Sequence, residues 1–342
     1  MQRLIRRGVV LAVGVTMVVS GAACSSSSSG GGDTVTLLTH DSFALPDSVR
    51  AEFTKQTGLT IKVVSSGDAG QVASTVALTP GRPKADAVYG IDNTFASRVI
   101  SAKALDGYAS PALTGSARDY KLPGGADLLT PVDRGDVCVN VDNAWYAARN
   151  QQPPTSIADL TDPRFAGQLV AMDPSTSSPG LGFLLATIAA YPSDWQSYWT
   201  KLRANGVKIV SGWEEGYNQQ FSGGQGKGPS PIVVSYASSP AANPATKALL
   251  DSCFRQVEYI GVLKGAAHPD RARKLIDFML GPQVQQALPD AMYVYPVRDG
   301  VALPAAWQKS APLPDSTVEL APNAIAANRE NWQKQWRSIM GR

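Results

Sequence analysis

Residues 34–39 read TVTLLT, residues 59–64 LTIKVV and residues 85–90 ADAVYG. Each is a short, largely apolar run rich in β-branched residues, the pattern of a strand covered on both faces. The stretches between them, near Asp47–Gln56 and Gln71–Leu78, carry helical spacing. Strand, helix, strand alternation of this kind predicts a parallel or mixed sheet flanked by helices, an α/β fold.

Further along, the segment TPVDRGD at Thr130–Asp136 interrupts the pattern with Pro131 and Gly135. A second set of elements follows: VCVNV, a helix near Ala144–Arg149, QLVAM, and helices between Gly180 and Asn205. PIVVSYASSP at Pro231–Pro240 reads as a strand closed by a polar turn. VEYIGVL is then a strand, and Pro269–Leu280 an amphipathic helix with Ala272, Leu275, Ile276 and Met279 on one face. A last helix is expected over Asn323–Met340. Taking Thr130–Asp136 and Pro231–Pro240 as two crossings gives two discontinuous lobes, 33–132 with 237–265 and 133–236 with 266–342. A cleft between lobes is where a small ligand is usually enclosed, and loops at the carboxyl ends of the strands should face it.

Ahead of this body, Arg3, Arg6 and Arg7 precede an uncharged run from Gly8 to Ala23 that ends at Cys24. That order is a bacterial export signal, 1–23, with lipidation expected on Cys24. The paired Arg6 and Arg7 leave the general and twin-arginine routes both open. The Ser/Gly run over 24–32 cannot bury a core and reads as a tether from the cell membrane to an extracytoplasmic body.

Removing 1–23 deletes three arginines and no acids, so 28 basic residues face 28 acidic ones. A neutral chain offers no electrostatic case for nucleic acid. Besides Cys24 there are Cys138 and Cys253, which an oxidising compartment leaves either paired or as two buried thiols. The two histidines, His40 and His268, have no companions at ligand spacing, so no metal is expected. No G-x-S-x-G or H-E-x-x-H occurs, and GGQGKG at Gly223–Gly228 has the wrong spacing for a phosphate loop. It reads as a surface loop. An enzyme and a bound cofactor are therefore not expected.

Six pieces carry a resemblance: THDSF at 39–43, KADAVYGIDN at 84–93, DPSTSSPGLGFLL at 173–185, GWEEGY at 212–217, VVSYASSP at 233–240 and YVYPV at 293–297. In this order they resemble the periplasmic thiamine-binding proteins of ABC transporters, within the wider group of ferric-ion and polyamine binders. The resemblance implies a two-lobed, type II binding-protein fold. It also implies a monomer that captures thiamine, a thiamine phosphate or a close relative and passes it to a membrane permease. Thiamine has a permanently cationic thiazolium and a flat aminopyrimidine, so aromatic faces and a carboxylate suit it.

By the resemblance, Trp213, Tyr236 and Tyr293 hold the ligand's rings, with Tyr217 beside them in GWEEGY, and Asp68 is an acidic partner. Ser177 lies against the hydroxyethyl or phosphate end, at a helix start suited to anions. Each aromatic has ordinary core packing as its other reading, while Asp68 and Asp92 could simply cap the helices that follow them. His40 stands where these proteins have a tyrosine, Leu45-Pro46-Asp47 replace a stretch with a tryptophan, and Ala242 replaces a further tyrosine. Ferric-ion binding would want adjacent tyrosines, which are absent. Polyamine binding is the alternative, drawing on Asp68, Asp92, Asp133, Asp136, Glu214 and Glu215.

Overall fold

A computed structural model describes residues 33–125 and 127–342. The export signal 1–23, the tether 24–32 and Cys24 lie outside the described residues. In chain order the regular elements are β1 (Thr34–Thr39), α1 (Asp47–Thr57), β2 (Thr60–Ser65), α2 (Ala69–Leu78), β3 (Ala87–Asp92), α3 (Ala96–Ser101) and β4 (Leu105–Asp106). Then come β5 (Thr130–Asp142), α4 (Asn143–Ala147), β6 (Leu169–Met172), α5 (Ser178–Ala190), α6 (Trp195–Ala204), β7 (Lys208–Val210) and β8 (Ile232–Tyr236). The chain closes with β9 (Thr246–Leu263), α7 (Pro269–Met279), α8 (Pro282–Met292), β10 (Tyr295–Pro296), α9 (Ala305–Ser310) and α10 (Pro322–Met340).

The main path of the sheet runs β2-β1-β3-β9-β5-β8-β6-β7. Its two ends are parallel: β1 pairs in parallel with β2 and β3, and β6 with β7 and β8. Between them β9 lies antiparallel to β3 and β5, and β5 antiparallel to β8. The two parallel blocks are thus joined through two long antiparallel strands of 13 and 18 residues.

The first expected crossing, Thr130–Asp136, falls within β5, one of the two connecting strands, while the second is moved from Pro231–Pro240 to β9. Pro131 and Gly135 do not break the chain; they sit inside β5. Proline has no amide to give the ladder, and the β5–β9 register shifts just there, between Pro131 and Asp133. Gly135 is required for another reason: a Cβ on it would stand 2.8 Å from the Tyr236 ring. The stretch Pro231–Pro240 stays in the second block, because β8 pairs only with β5 and β6 before the short turn Ser239–Ala241. The return is made by β9 instead.

Helix α7 buries Ala272, Leu275, Ile276 and Met279, as its spacing predicts. Burial of the Leu, Ile and Met side chains is worth roughly 1.5–3 kcal/mol each, as upper estimates. They pack in one apolar cluster with Val35 and Leu37 of β1, Tyr89 of β3 and Val284 and Leu288 of α8. Residues 269–292 therefore belong with the first block, whereas the sequence reading put all of 266–342 in the second. Within that stretch α10 does reach the second block, where Trp336 meets Trp199 of α6 edge-on at 5.6 Å.

Cys138 and Cys253 form a disulfide between β5 and β9, with their Cα atoms 4.5 Å apart. It lies where the ladder register shifts again, between Val137 and Val139.

Candidate functional site

A cavity of about 450 Å³ opens among the loops that follow β1, β2 and β8, the segment 213–227 and the end of α8. Its size suits a small organic ligand. Six of the sequence-predicted residues line it: His40, Asp68, Trp213, Tyr217, Tyr236 and Tyr293.

The aromatic part is built by local backbone irregularities. Residues Glu214–Gln220 form a π-helical turn, a rare geometry that often accompanies binding sites. It sets the Trp213 and Tyr217 rings face to face, with centroids 5.0 Å apart and planes within 9°. Trp213 Nε1 donates to Ser235 Oγ at 2.8 Å, which fixes the indole. The Tyr236 ring is tilted to it at 6.4 Å, and its hydroxyl donates to Gln256 Oε1. Tyr293 caps α8 in the left-handed region with φ 55°, an uncommon conformation for a residue with a Cβ. Its ring lies parallel to Trp307 and is 36% exposed, so one face stays open.

The loop Gly223–Gly228 lies against this turn and contributes Gly223, Gly224, Gln225 and Lys227 to the cavity wall, where the sequence reading left a plain surface loop. A Cβ on Gly224 would stand 1.9 Å from the Tyr217 carbonyl oxygen, and one on Gly226 2.5 Å from that of Asn218. The glycines serve close backbone packing.

The polar part gathers around His40. Its Nδ1 is 2.9 Å from Ser42 Oγ and its Nε2 3.4 Å from Glu258 Oε1. The Tyr89 hydroxyl contacts both Glu258 Oε2, at 3.0 Å, and Asp133. Burial alone would lower the His40 pKa, but the Glu258 carboxylate beside it, helped by Asp68 and Asp41, raises it above the ordinary value. Burial works against the Glu258 charge too, yet His40, Asp133 and Tyr89 hold that carboxyl below its usual range. Asp133 is pushed well up by burial and by the neighbouring Glu258.

Asp68 does two jobs. Its Oδ1 accepts from Ala69 N at 2.6 Å and caps α2, completing a capping box with Gln71. Its Oδ2 accepts from Trp213 N at 2.9 Å. Burial raises its pKa against the pull of Ser177, Trp213 and Ala69.

Asp92 and Ser177 are not among the cavity-lining residues. Asp92 Oδ1 accepts from Thr94 N and Oγ1 and from Phe95 N ahead of α3, the capping alternative. Ser177 is fully buried as the N-cap of α5, and its neighbour Ser178 reaches the cavity instead. Sequence reasoning missed Glu258. Its signal was present: one carboxylate inside the apolar strand VEYIGVL.

The fold and this cavity can be set beside known proteins. Residues 82–317 match the family model described as bacterial extracellular solute-binding protein. The thiamine-binding periplasmic protein of Salmonella typhimurium is 31% identical over 324 residues, covering 90% of this chain and 94% of that one. The protein of the same description from Escherichia coli K12 is 30% identical, again over 90% and 94%. A solved periplasmic thiamin binding protein superposes with a TM-score of 0.79 at 28% identity, over 90% of this chain and 96% of that one. The architecture is thus the type II periplasmic-binding-protein fold expected from the resemblance. A block of parallel strands at either end of the sheet, two long connecting strands and a half-open cavity agree with what the sequence comparisons find: the chain belongs to the bacterial extracellular solute-binding proteins.

Proposed function

We propose that this protein captures thiamine, a thiamine phosphate or a close relative outside the cell membrane and delivers it to an ABC permease, without chemical change to the ligand. The observation that carries the reading is the combination of four rings, Trp213, Tyr217, Tyr236 and Tyr293, with the buried carboxylates Asp68 and Glu258 around one cavity. A flat cation gains from both: a desolvated cation–π contact contributes about 2 kcal/mol, and a buried carboxylate favours a positive charge. The names of the relatives point the same way. A linear polyamine would use carboxylates at both ends and gain less from stacked rings.

The rest of the reading is supported by the order of the N-terminal sequence and by the pairing of the two blocks. Cys24 carries lipid and 24–32 is the tether. The mature protein acts as a monomer, and the two blocks joined by β5 and β9 close over the ligand by hinge motion. His40, Asp68, Trp213, Tyr217, Tyr236 and Tyr293 contact the ligand; Asp92 and Ser177 hold the loops on which the site stands.

Calorimetric titration of thiamine, its phosphates and spermidine into the mature protein tests this. Saturable, stoichiometric binding of a thiamine species, without turnover, is expected. No heat and no thermal shift with any of them would remove thiamine from the proposal.

A further inference from the structure

Three carboxylates line the cavity, Asp68, Glu214 and Glu258. Asp68 was assigned the ligand's charge, but both of its oxygens already accept backbone amides, from Ala69 and Trp213. Glu214 accepts from Asn218 Nδ2 at 2.8 Å. Glu258 is held differently, by side chains that themselves carry exchangeable protons: His40 and Tyr89, with Asp133 behind Tyr89. It is 6% exposed, so whatever charge it faces is felt with little water between.

His40 reaches Glu258 because the β3 backbone makes room for it. The β3–β9 register shifts between Tyr89 and Ile91. At the bulge Gly90 has φ 86°, and a Cβ there would stand 2.2 Å from His40 Cδ2. The imidazole therefore lies against bare backbone, with Ser42 on Nδ1 and Glu258 on Nε2. The titratable groups facing it are Asp41 on its own loop, Asp68 at the head of α2, Tyr89 on β3, Asp133 on β5 and Glu258 on β9. Of these, the carboxylates of Glu258, Asp68 and Asp41 favour an imidazolium in the free protein against the burial that opposes it. A second fixed positive charge brought to the same carboxylates competes with it.

We propose that Glu258 is the carboxylate that takes the charge of a cationic heteroaromatic ligand, and that the ligand's arrival displaces the His40 proton to solvent. This rests on the reading of the ligand as thiamine-like. One cation enters and one proton leaves Nε2, so Glu258 stays ionised and the net charge of the cavity is unchanged. Affinity then rises with pH through the titration of His40 in the free protein.

The test uses the whole mature protein with thiamine and its neutral thiophene isostere as probes. Thiamine titrated in two buffers of different ionisation enthalpy should release close to one proton at a pH where His40 is charged, and none well above it. The His40→Gln variant should release none. Because His40 and His268 are the two histidines of the chain, a His268→Gln variant assigns the His40 ring signal by NMR. That signal should move to the neutral position on binding thiamine and not on binding the isostere. Glu258→Gln should weaken thiamine by on the order of 10–100-fold, within the one to three decades by which a nearby opposite charge shifts an ionic equilibrium, and the isostere far less. Thiamine binding with no proton released and His40 still charged overturns the inference, without need of any variant. So does an equal loss of both probes in Glu258→Gln. If the wild type takes up neither probe, the proposed function and this inference fall together; if it binds thiamine without releasing a proton, this inference alone falls.

Discussion

The amide of Trp213 donates to Oδ2 of Asp68 at 2.9 Å, joining residues 145 positions apart. The same carboxylate starts α2, so the head of one helix and the start of the π-helical turn share a single anchor. Asp68→Ala leaves two buried amides without an acceptor and should cost about 1–3 kcal/mol of stability, with weaker thiamine binding as the Trp213 turn loosens. Asp68→Asn retains one acceptor oxygen and should cost less. Urea denaturation of both variants checks the order; an unchanged midpoint for Asp68→Ala would contradict the shared anchor.

Trp213 stacks on Tyr217 and keeps its other contacts through Ser235 and Tyr236. Trp213→Ala should weaken thiamine binding by on the order of 30-fold, from about 2 kcal/mol of lost cation–π contact. Trp213→Phe keeps an aromatic face and loses the hydrogen bond to Ser235, so a smaller loss is expected by calorimetry. Equal affinities for wild type and the alanine variant would move the ligand away from this ring.

Burial raises the Asp92 pKa to about 6 despite the hydroxyl and amide groups around its carboxyl. Between its ordinary value near 4 and that of the folded state, the folded protein binds more protons than the unfolded chain. Stability from this group is therefore full below about pH 4 and is lost as the pH rises to about 6. Relative to Asp92→Asn, the wild type should lose roughly 2–3 kcal/mol across that window. Denaturation of the pair at several pH values measures it, and a difference that stays flat from pH 4 to 6.5 would refute the assignment.

The Cys138–Cys253 disulfide closes a loop of 115 residues between the two long strands. Replacing both cysteines by alanine should cost about 2–5 kcal/mol. Wild type with reductant should show a similar drop, and the double variant should be insensitive to reductant. A reductant effect that persists in the variant would point to another cause.

Cys24→Ala should release the protein from membranes into the soluble extracytoplasmic fraction, as a single anchored residue requires. Fractionation after a salt wash reads this directly. Membrane association as tight as wild type would place the anchor elsewhere.

The parts of this molecule that were legible in the sequence are those set by local pattern. The period of α7, the two-sided burial of β1 and β3, and the strand–helix alternation all follow from side-chain spacing. The resemblance supplied residues of the cavity that composition alone would have left as core. What escaped was set by tertiary pairing. Pro131 and Gly135 look like chain breakers, but a bulge and the Tyr236 ring absorb them. Glu258 gave a weak signal because its meaning depends on Gly90 letting His40 approach from the loop after β1. The GGQGKG loop reads as solvent-facing until its glycines are seen against the carbonyls of the π-helical turn.

The long strands β5 and β9 have a further effect on how the molecule comes apart. The early part of β9 pairs with the end of β5, while its last residues pair with β3 and β4. Melting either parallel block strips partners from strands that the other block also uses, and the disulfide keeps the two strands in register meanwhile. The hinge motion proposed for the two blocks therefore brings no freedom to unfold them one at a time. The same two strands thus tie the proposed hinge to the cooperativity of unfolding, and a single thermal transition is expected for the compact unit Asp33–Arg342.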